Sequence, residues 1–265
     1  MNALQAFILG IVQGLTEFLP VSSSGHLVML QRIMGIDEPT LSFNIAVHFA
    51  TLVAVCIVLW QEIVKLARKP FCPLMAYLFI ATVPAALAGL LFRDFFERLN
   101  NTGLSVGLGF LATALVVFLS SKLLGGTRKL DEMRWRDALL IGAFQAVAII
   151  PGISRSGMTL SAGLSRKFER KEAIHFAFLM AIPVILGATF IQVLGAVRHG
   201  MGEVQMLPLL IGMAAAGVSG YFAIRLFIRL VMKGRIIWFA AYVLVLSILV
   251  LADQLFLGVF FERFF

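Results

Sequence analysis

The fold of this chain is decided by two similar stretches, QGLTEFLPVSSSG at residues 13–25 and QAVAIIPGISRSG at residues 145–157. With an offset of 132 positions, Gln13 matches Gln145, and serine and glycine positions that follow match as well, although the prolines differ by one position. Chance similarity between two apolar segments rich in small residues is one explanation. The other is a duplicated unit, which the chain would carry once in each half.

The segments that lead into these stretches are apolar, but they differ from ordinary spanning helices. Residues 3–19 and 138–150 each run into a proline, Pro20 or Pro151, and then into a turn rich in serine and glycine and a second short segment. A turn within a membrane exposes backbone polar groups, which are tolerated only where protein or water covers them. We therefore predict two re-entrant helix–turn–helix hairpins.

The composition indicates an integral membrane protein. Of the 265 residues, 60% are hydrophobic and 14% are charged, whereas soluble domains contain about 45–50% and about 25%. A spanning helix needs roughly 20 residues, and six charge-free apolar windows have about that length: 41–60, 74–92, 103–121, 174–197, 204–224 and 236–252. Because no linker or block of charge divides the chain, we predict a single all-α membrane domain over residues 1–265, with six transmembrane helices and two hairpins.

The charges of the loops predict the orientation. One side of the membrane receives fifteen Lys and Arg residues, in loops 61–73, 122–136, 166–171 and 229–235. The other side receives five, which are Arg32, Arg93, Arg98, Arg198 and Arg263. The positive-inside rule places the fifteen in the cytoplasm. Both termini, the first hairpin and the 93–102 loop then lie outside, and the second hairpin enters from the cytoplasm.

This arrangement makes the second unit an inverted copy of the first. We predict repeat 1 over about residues 1–121 and repeat 2 over about residues 137–258, each a hairpin followed by three spans. Inverted-topology repeats place their binding site at the repeat interface near the membrane midplane, where broken helix ends line it. The two hairpin turns are therefore the predicted location of the site.

The first hairpin carries Glu17, an ionisable group in a membrane-embedded segment and therefore a candidate functional residue. Gln13 lies one turn earlier on the same helix face, and His26 follows the turn. Small residues let the backbone N–H groups of a helix N-terminus approach an anion closely; those between Pro20 and His26 are Ser22, Ser23, Ser24 and Gly25. The alternatives are a carboxylate that reaches the membrane surface and serines that merely cap a helix.

The second hairpin carries Arg155, the only charged residue between Asp137 and Arg166. An arginine at a membrane-embedded turn is costly unless it is paired or binds an anion, and its planar fork suits phosphate oxygens. The neighbouring candidates for substrate binding are Ser154, Ser156, Gly157 and Thr159. A structural ion pair with Glu17 is the alternative, and both roles are compatible when substrate is absent.

The two turns together suit phosphoryl transfer. A dication held by Glu17 would neutralise phosphate charge, Arg155 would clamp the oxygens, and a hydroxyl or water would attack. His26 or Glu17 would move the proton. Nucleic acid is not an expected partner, because the net charge of +8 is distributed in loops, as orientation signals and contacts with anionic lipids are. Two cysteines, Cys56 and Cys72, indicate neither a disulfide framework nor a zinc site.

The segments GLTEFLPVSSSGH and PGISRSGMT resemble the motifs of the undecaprenyl-pyrophosphate phosphatase (bacitracin-resistance) family of bacterial inner membranes. The similarity covers the whole chain in length, span order and motif placement. It implies hydrolysis of undecaprenyl pyrophosphate to undecaprenyl phosphate and phosphate at the periplasmic side, with Mg²⁺ or Ca²⁺. This reaction recycles the lipid carrier for peptidoglycan and other wall polymers.

The resemblance also implies roles for individual residues. Glu17 is the second acidic residue of the first motif, Ser23 the proposed nucleophile, His26 the motif histidine and Arg155 the phosphate-binding arginine. Many members of the family have glutamate where this chain has Gln13. The amide oxygen of Gln13 can still bind a cation with Glu17 but brings no charge, so metal binding is expected to be weaker or to rest on Glu17 alone.

Other functions and roles remain open at this stage. A transporter or flippase of polyprenyl phosphate lipids would use the same inverted repeats, whereas a channel would give no reason for Glu17, His26 and Arg155. His48, in a charge-free window, is interpreted as a helix-packing residue, with a pocket-lining role as the alternative. Whether the chain forms a homodimer is not decided by the sequence.

Overall fold

The chain is helical in a computed structural model, which describes residues 1–36, 41–92, 95–96, 99, 102–123, 126–199 and 205–261. The helices are α1 Ala3–Phe18, α2 Ser23–Ile33, α3 Leu41–Val58, α4 Trp60–Arg68, α5 Pro73–Leu91, α6 Gly103–Ser121, α7 Trp135–Val147, α8 Arg155–Ser165, α9 Arg170–His199, α10 Met206–Met232 and α11 Ile237–Ala252. A 3₁₀ turn covers Leu130–Glu132, and a π-helical turn covers Asp253–Leu257.

The all-α membrane architecture is confirmed by the length and composition of these helices. Within the described ranges, α5, α6, α9, α10 and α11 are long and apolar enough to cross a membrane, and α3 with α4 makes a sixth if the bent pair counts as one span. Each of the six predicted windows coincides with one of these helices. Most of the predicted outer loop 93–102, with Arg93 and Arg98, lies outside the described residues, as does Arg263.

The first predicted window, 41–60, ends earlier than expected. Helix α3 stops at Val58, and the chain bends by 77° into α4. Helix α4 carries Glu62, Lys65 and Arg68 and has no buried residue. Charged side chains are costly in hydrocarbon, so a helix with this pattern is suited to the membrane surface rather than to a continued span.

Both predicted hairpins are helix–turn–helix pairs, formed by α1 with α2 and by α7 with α8. The second helix of each pair begins with a serine cap at equivalent positions. The hydroxyl of Ser22 accepts from the Gly25 N–H at 3.4 Å, and that of Ser154 accepts from the Gly157 N–H at 3.1 Å. These caps satisfy N–H groups that a helix start leaves unpaired. The depth of the hairpins in a membrane remains a prediction.

In a duplicated unit, each contact between two helices should recur between their counterparts in the other repeat, and the observed contacts show this. Helix α1 packs on α10, and its counterpart α7 packs on α5, the counterpart of α10. In the same way α3 packs on α10 and α9 packs on α5, while α6 packs on α11 and α3 on α9. This pattern supports the proposed repeat, whose boundaries remain a prediction.

Small residues allow the hairpins to lie close to the spans. A Cβ atom on Gly10 or Gly14 of α1 would overlap backbone oxygen atoms of α10, and one on Gly142 of α7 would overlap the backbone of Ala81 in α5. Close backbone approach at small residues is a common basis of helix association in membranes. The largest buried apolar cluster surrounds α8 and α9 and includes Phe176 and Phe178. The hairpins are thus fixed against this core.

A buried carboxylate anchors the beginning of α7. Asp137 accepts a hydrogen bond from Arg128 Nη2 at 2.8 Å and one from Arg166 Nε at 2.6 Å. The backbone N–H of Arg134, three residues earlier, also donates to Asp137 at 3.0 Å. Burial raises the pKa of Asp137, but these hydrogen bonds and the nearby positive charge outweigh it and hold the pKa at about 2. The cluster ties the 126–134 segment to the end of α8.

Candidate active site

The turn of the first hairpin is held in an unusual conformation. Ser22 has φ 66° and ψ 97°, in a region that residues other than glycine rarely adopt, at a cost of roughly 1–3 kcal/mol. Such backbone strain is retained mainly where a functional site requires it. The turn reverses the chain so that Ser23, the first residue of α2, faces back towards Glu17 near the end of α1.

The carboxylate of Glu17 is the centre of the site. Its Oε2 accepts a hydrogen bond from Ser23 Oγ at 2.6 Å and one from Gln13 Nε2 at 2.9 Å. Its Oε1 accepts from Arg155 Nη2 at 2.6 Å. Glu17 and Gln13 are buried, so these bonds replace the water that a charged carboxylate would otherwise require. The structure thus brings together four of the predicted site residues.

The turn of the second hairpin is held by α6. Thr113 Oγ1 donates to the carbonyl oxygen of Gly152 at 2.9 Å and accepts from the Ser154 N–H at 2.9 Å. Gly152 has φ 80° and lies so close to α6 that a Cβ atom would overlap the Val106 carbonyl oxygen. These two hydrogen bonds and the close approach of Gly152 to α6 fix the turn from which Arg155 extends. Sequence reasoning missed Thr113, whose only signal is a hydroxyl in an apolar window.

A cavity of about 260 Å³ opens beside the Glu17–Arg155 pair. Its polar wall includes Ser22, Ser23, Ser24 and Ser154. Its other wall follows one face of α9, where Val184, Ile185 and Ala188 precede the polar residues Thr189 and Gln192. The cavity therefore offers hydroxyl groups and a guanidinium at one end and an apolar surface beside them.

Comparison with known proteins identifies one family over most of the chain. The family model described as Bacitracin resistance protein BacA matches residues 6–249. The chain belongs to the BacA family. A protein of Carboxydothermus hydrogenoformans named "Undecaprenyl-diphosphatase" is 43% identical over 256 residues, which are 96% of this chain and 98% of the relative.

Other BacA-type relatives are similar over the same extent. One from Bacillus cereus, named "Undecaprenyl-diphosphatase 4", is 42% identical over 254 residues, 96% of this chain and 98% of its own. One from Halothermothrix orenii, named "Undecaprenyl-diphosphatase", is 37% identical over 253 residues, 95% of this chain and 98% of its own. The family resemblance inferred from the two motifs is confirmed.

The remaining predicted substrate-binding residues of this BacA-family chain divide into two groups. Ser22, Ser24 and Ser154 line the cavity, whereas Gly25, Ser156, Gly157 and Thr159 are not among its lining residues. The Ser156 hydroxyl donates to the Leu19 carbonyl oxygen at 2.8 Å and so links the two hairpins. The Thr159 hydroxyl donates to the Arg155 carbonyl oxygen at 2.9 Å.

The two histidines near the site have different surroundings. His26 is buried, and its Nε2 lies 2.9 Å from the Tyr242 hydroxyl. His48 lines the cavity with its Nε2 3.7 Å from Glu17 Oε2, in agreement with the pocket-lining alternative rather than the packing interpretation. The sequence signal for this role is the position of His48 as an ionisable residue inside an apolar span.

The residues predicted to hold a dication fit one chemically. Mg²⁺ and Ca²⁺ prefer oxygen ligands and often combine one or two protein carboxylates with substrate phosphates and water. Glu17 supplies a carboxylate, and the buried Oε1 of Gln13 has no hydrogen-bond partner. The part of the chain that the structure describes contains no group of three or more His, Cys, Asp or Glu residues arranged for a metal. A cation here would therefore depend on oxygen atoms of the substrate.

Proposed function

We propose that the protein hydrolyses undecaprenyl diphosphate to undecaprenyl phosphate and inorganic phosphate. One observation carries this assignment: Ser23, Glu17 and Arg155 converge beside a cavity, although they come from two separate hairpins. A hydroxyl, a carboxylate and a guanidinium form a set suited to phosphoryl transfer. The names of the relatives, undecaprenyl-diphosphatases, support the substrate.

In the proposed reaction Arg155 binds the terminal phosphate. Its planar guanidinium can donate two hydrogen bonds to phosphate oxygens and offset their charge. The same group contacts Glu17 at 2.6 Å in this structure, so the substrate would compete with that carboxylate for it. The serine hydroxyls of the cavity wall, on Ser22, Ser24 and Ser154, would donate further hydrogen bonds to the phosphate.

Ser23 is the proposed nucleophile and Glu17 its proton acceptor. The Ser23 hydroxyl already donates to Glu17 Oε2 at 2.6 Å. Oγ would form a bond to the terminal phosphorus while the anhydride P–O bond breaks, and undecaprenyl phosphate would leave with the electron pair of that bond. The proton would pass to Glu17. Water would then hydrolyse the phosphoserine and release inorganic phosphate.

The proposed cofactor is Mg²⁺ or Ca²⁺, held by Glu17 and the amide oxygen of Gln13. When bound, it would supply positive charge that neutralises the diphosphate. The chain's own residues orient the substrate: Arg155 from one side and the first hairpin from the other. The apolar wall formed by Val184 and Ile185 would receive the first part of the prenyl chain.

The protein is a multi-pass bacterial membrane protein, and we propose the inner membrane with a site that opens to the periplasm. The proposal rests on the loop charges, which direct the basic loops to the cytoplasm. The cavity extends along α9 to Gln192, towards the end of that helix assigned to the periplasmic side. Hydrolysis there would return undecaprenyl phosphate to cell-wall synthesis.

The assignment is tested with purified protein in detergent. We expect phosphate to be released from undecaprenyl diphosphate in the presence of Mg²⁺ or Ca²⁺, and the release to stop with EDTA and resume when the cation is restored. Folded protein that releases no phosphate, but moves polyprenyl phosphate across vesicle membranes, would contradict the enzyme and identify a carrier.

A further inference from the structure

Both ring nitrogens of His26 are already engaged. Nδ1 lies 2.7 Å from the carbonyl oxygen of Ser22, and Nε2 lies 2.9 Å from the hydroxyl of Tyr242. A carbonyl oxygen only accepts hydrogen bonds, so Nδ1 carries the proton and donates it. In the neutral ring Nε2 is then the acceptor, and the Tyr242 hydroxyl donates to it. The lone pair on Nε2 of His26 therefore accepts a hydrogen bond from Tyr242 of α11.

The bond from His26 reaches the strained residue of the first turn. Ser22 has a positive φ of 66°, and its carbonyl oxygen accepts from the His26 ring and, at 3.3 Å, from the His26 N–H. The next residue is Ser23, whose hydroxyl contacts Glu17. The orientation of the Ser22 carbonyl therefore constrains the peptide from which the reactive hydroxyl extends.

The ring of His26 is also fixed by its neighbours. The ring of Tyr242 stacks on it with a centroid distance of 5.7 Å, and Phe110 of α6 contacts it edge-on at 5.4 Å. Replacing Tyr242 by phenylalanine would keep the stacked ring and remove only the hydroxyl. The hydrogen bond can thus be separated from the packing.

We propose that Tyr242 is a positioning residue for the reaction, acting through His26. Its hydroxyl fixes the ring and the tautomer of His26, which holds the Ser22 carbonyl and thereby aims Ser23 at the phosphorus. His26 then supports the turn, and Glu17 alone accepts the proton. This inference rests on the proposed phosphatase activity, and it links α11, at the end of the chain, to the first hairpin.

The first test is the kcat of the Tyr242→Phe variant. Loss of one hydrogen bond that orients the nucleophile should lower kcat by about tenfold, while KM changes less than about twofold because Arg155 and the cavity wall still bind the substrate. The matched control is Tyr221→Phe, since the Tyr221 ring packs on Phe222 and Arg225. A Tyr242→Phe variant with kcat within about twofold of the wild type would overturn the proposal.

A double variant tests whether Tyr242 acts through His26. If it does, His26→Ala with Tyr242→Phe should have the kcat of His26→Ala alone, because the hydroxyl has lost its partner. Independent losses that multiply would instead mean that Tyr242 acts directly on the substrate, and would contradict the proposed route.

A third measurement does not depend on activity. The chain has four histidines, and ¹⁵N-histidine NMR of the purified protein can assign the His26 ring by its absence in His26→Ala. We expect the Nδ1–H tautomer in the wild type and a shifted Nε2 signal in Tyr242→Phe. An unchanged signal would refute the link even in an active enzyme. A shifted signal in protein that releases no phosphate would refute the proposed function while leaving the link intact.

Discussion

Arg155 Nη2 lies 2.6 Å from Glu17 Oε1, although 138 positions separate the two residues in the chain. Both side chains are largely withdrawn from solvent, with 19% and 4% of their surface exposed. In such surroundings each charge needs the other, because an isolated buried charge is strongly destabilising. The pair joins the two hairpins and would keep the proposed phosphate-binding group in place until an anion competes for it.

The first prediction concerns the shape of the Arg155 side chain. Arg155→Lys keeps the positive charge but loses the planar fork that binds two phosphate oxygens. We expect phosphate release to fall by at least about a hundredfold, as when an aligned donor is removed from a transition state, with expression and melting temperature near those of the wild type. Arg225→Lys, on α10 against Tyr221, is the matched control. Near-normal turnover would reduce Arg155 to a structural partner of Glu17.

The second prediction concerns Gln13. Gln13→Glu would place a second carboxylate against Glu17, where the amide now donates at 2.9 Å. Two adjacent carboxylates repel unless a cation lies between them. The variant should therefore melt at a lower temperature than the wild type in EDTA, and Mg²⁺ or Ca²⁺ should raise its melting temperature by more than that of the wild type.

Gln61→Glu, on the exposed surface of α4, controls for the added charge alone. Equal stabilisation by the cation in Gln13→Glu and the wild type would show that Gln13 is not a ligand. Complete loss of activity in a folded Gln13→Glu variant would mean that the site requires a neutral group there.

The sequence predicted the core of the site because its residues lie in or beside the turns of two similar motifs, where Ser23 and Arg155 occupy equivalent positions. A hairpin turn exposes few positions, so the meeting of Glu17, Ser23 and Arg155 follows once the turns are assumed to meet at the repeat interface. The positions of the apolar helices followed equally directly from hydropathy.

The contributions of the spanning helices could not be predicted in this way. For His48 of α3 the sequence does not decide between a packing and a pocket-lining role, and Thr113 and Tyr242 lie on α6 and α11, which carry apolar residues on all faces. Such a helix has no polar face from which its rotation could be inferred, so the residues that turn towards the site depend on packing between helices far apart in sequence. The same limit explains why the contact between His26 and Tyr242 could not be predicted.

The third prediction concerns stability at low pH. Asp137 has a pKa of about 2 in the folded protein, below the ordinary value of 3.8. A carboxylate whose pKa is lower in the folded protein than in the unfolded chain stabilises the fold at pH values above the unfolded-state pKa. This contribution is lost as the pH falls from about 4 to about 2. Asp137→Asn should therefore lower the melting temperature by at least about 3 °C near neutral pH, and the difference from the wild type should shrink through that acidic range.

The control for Asp137→Asn is Asp131→Asn, which changes an exposed carboxylate of the same segment. Its melting temperature should stay close to that of the wild type at every pH. A difference between Asp137→Asn and the wild type that stays constant from neutral pH down to about 2 would contradict the charge-based account.

The fourth prediction concerns sidedness. On a background without Cys56 and Cys72, a single cysteine at Arg32 should react with a membrane-impermeant reagent in intact cells. Single cysteines at Lys129 and Arg235, both exposed in the structure, should react only after the membrane is opened, because their loops are assigned to the cytoplasm. A permeant reagent that labels all three is the control. Labelling of Lys129→Cys from outside would reverse the orientation.

The last prediction separates Ser23 from water as the attacking group. The Ser23 hydroxyl donates to Glu17 at 2.6 Å, which is the arrangement of a nucleophile with its base. Ser24 lines the same cavity, so Ser24→Ala removes a neighbouring hydroxyl of equal size. If Ser23 attacks phosphorus, Ser23→Ala should lose several orders of magnitude in turnover, since removing a nucleophile abolishes its whole route. The turnover of Ser24→Ala should fall by no more than about tenfold, which corresponds to the loss of one hydrogen bond.

Rapid quenching tests directly for the covalent phosphoserine product. Wild-type protein stopped within the first turnover should carry phosphate on Ser23, and Ser23→Cys should be assayed beside it as a change that keeps a nucleophile of different reactivity. If Ser23 only donates a hydrogen bond while water attacks, the Ser23→Ala and Ser24→Ala variants should lose similar activity and no phosphoserine should form. A Ser23→Ala variant that keeps about a tenth or more of wild-type turnover would exclude covalent catalysis. The bond to Glu17 would then position a donor rather than activate a nucleophile.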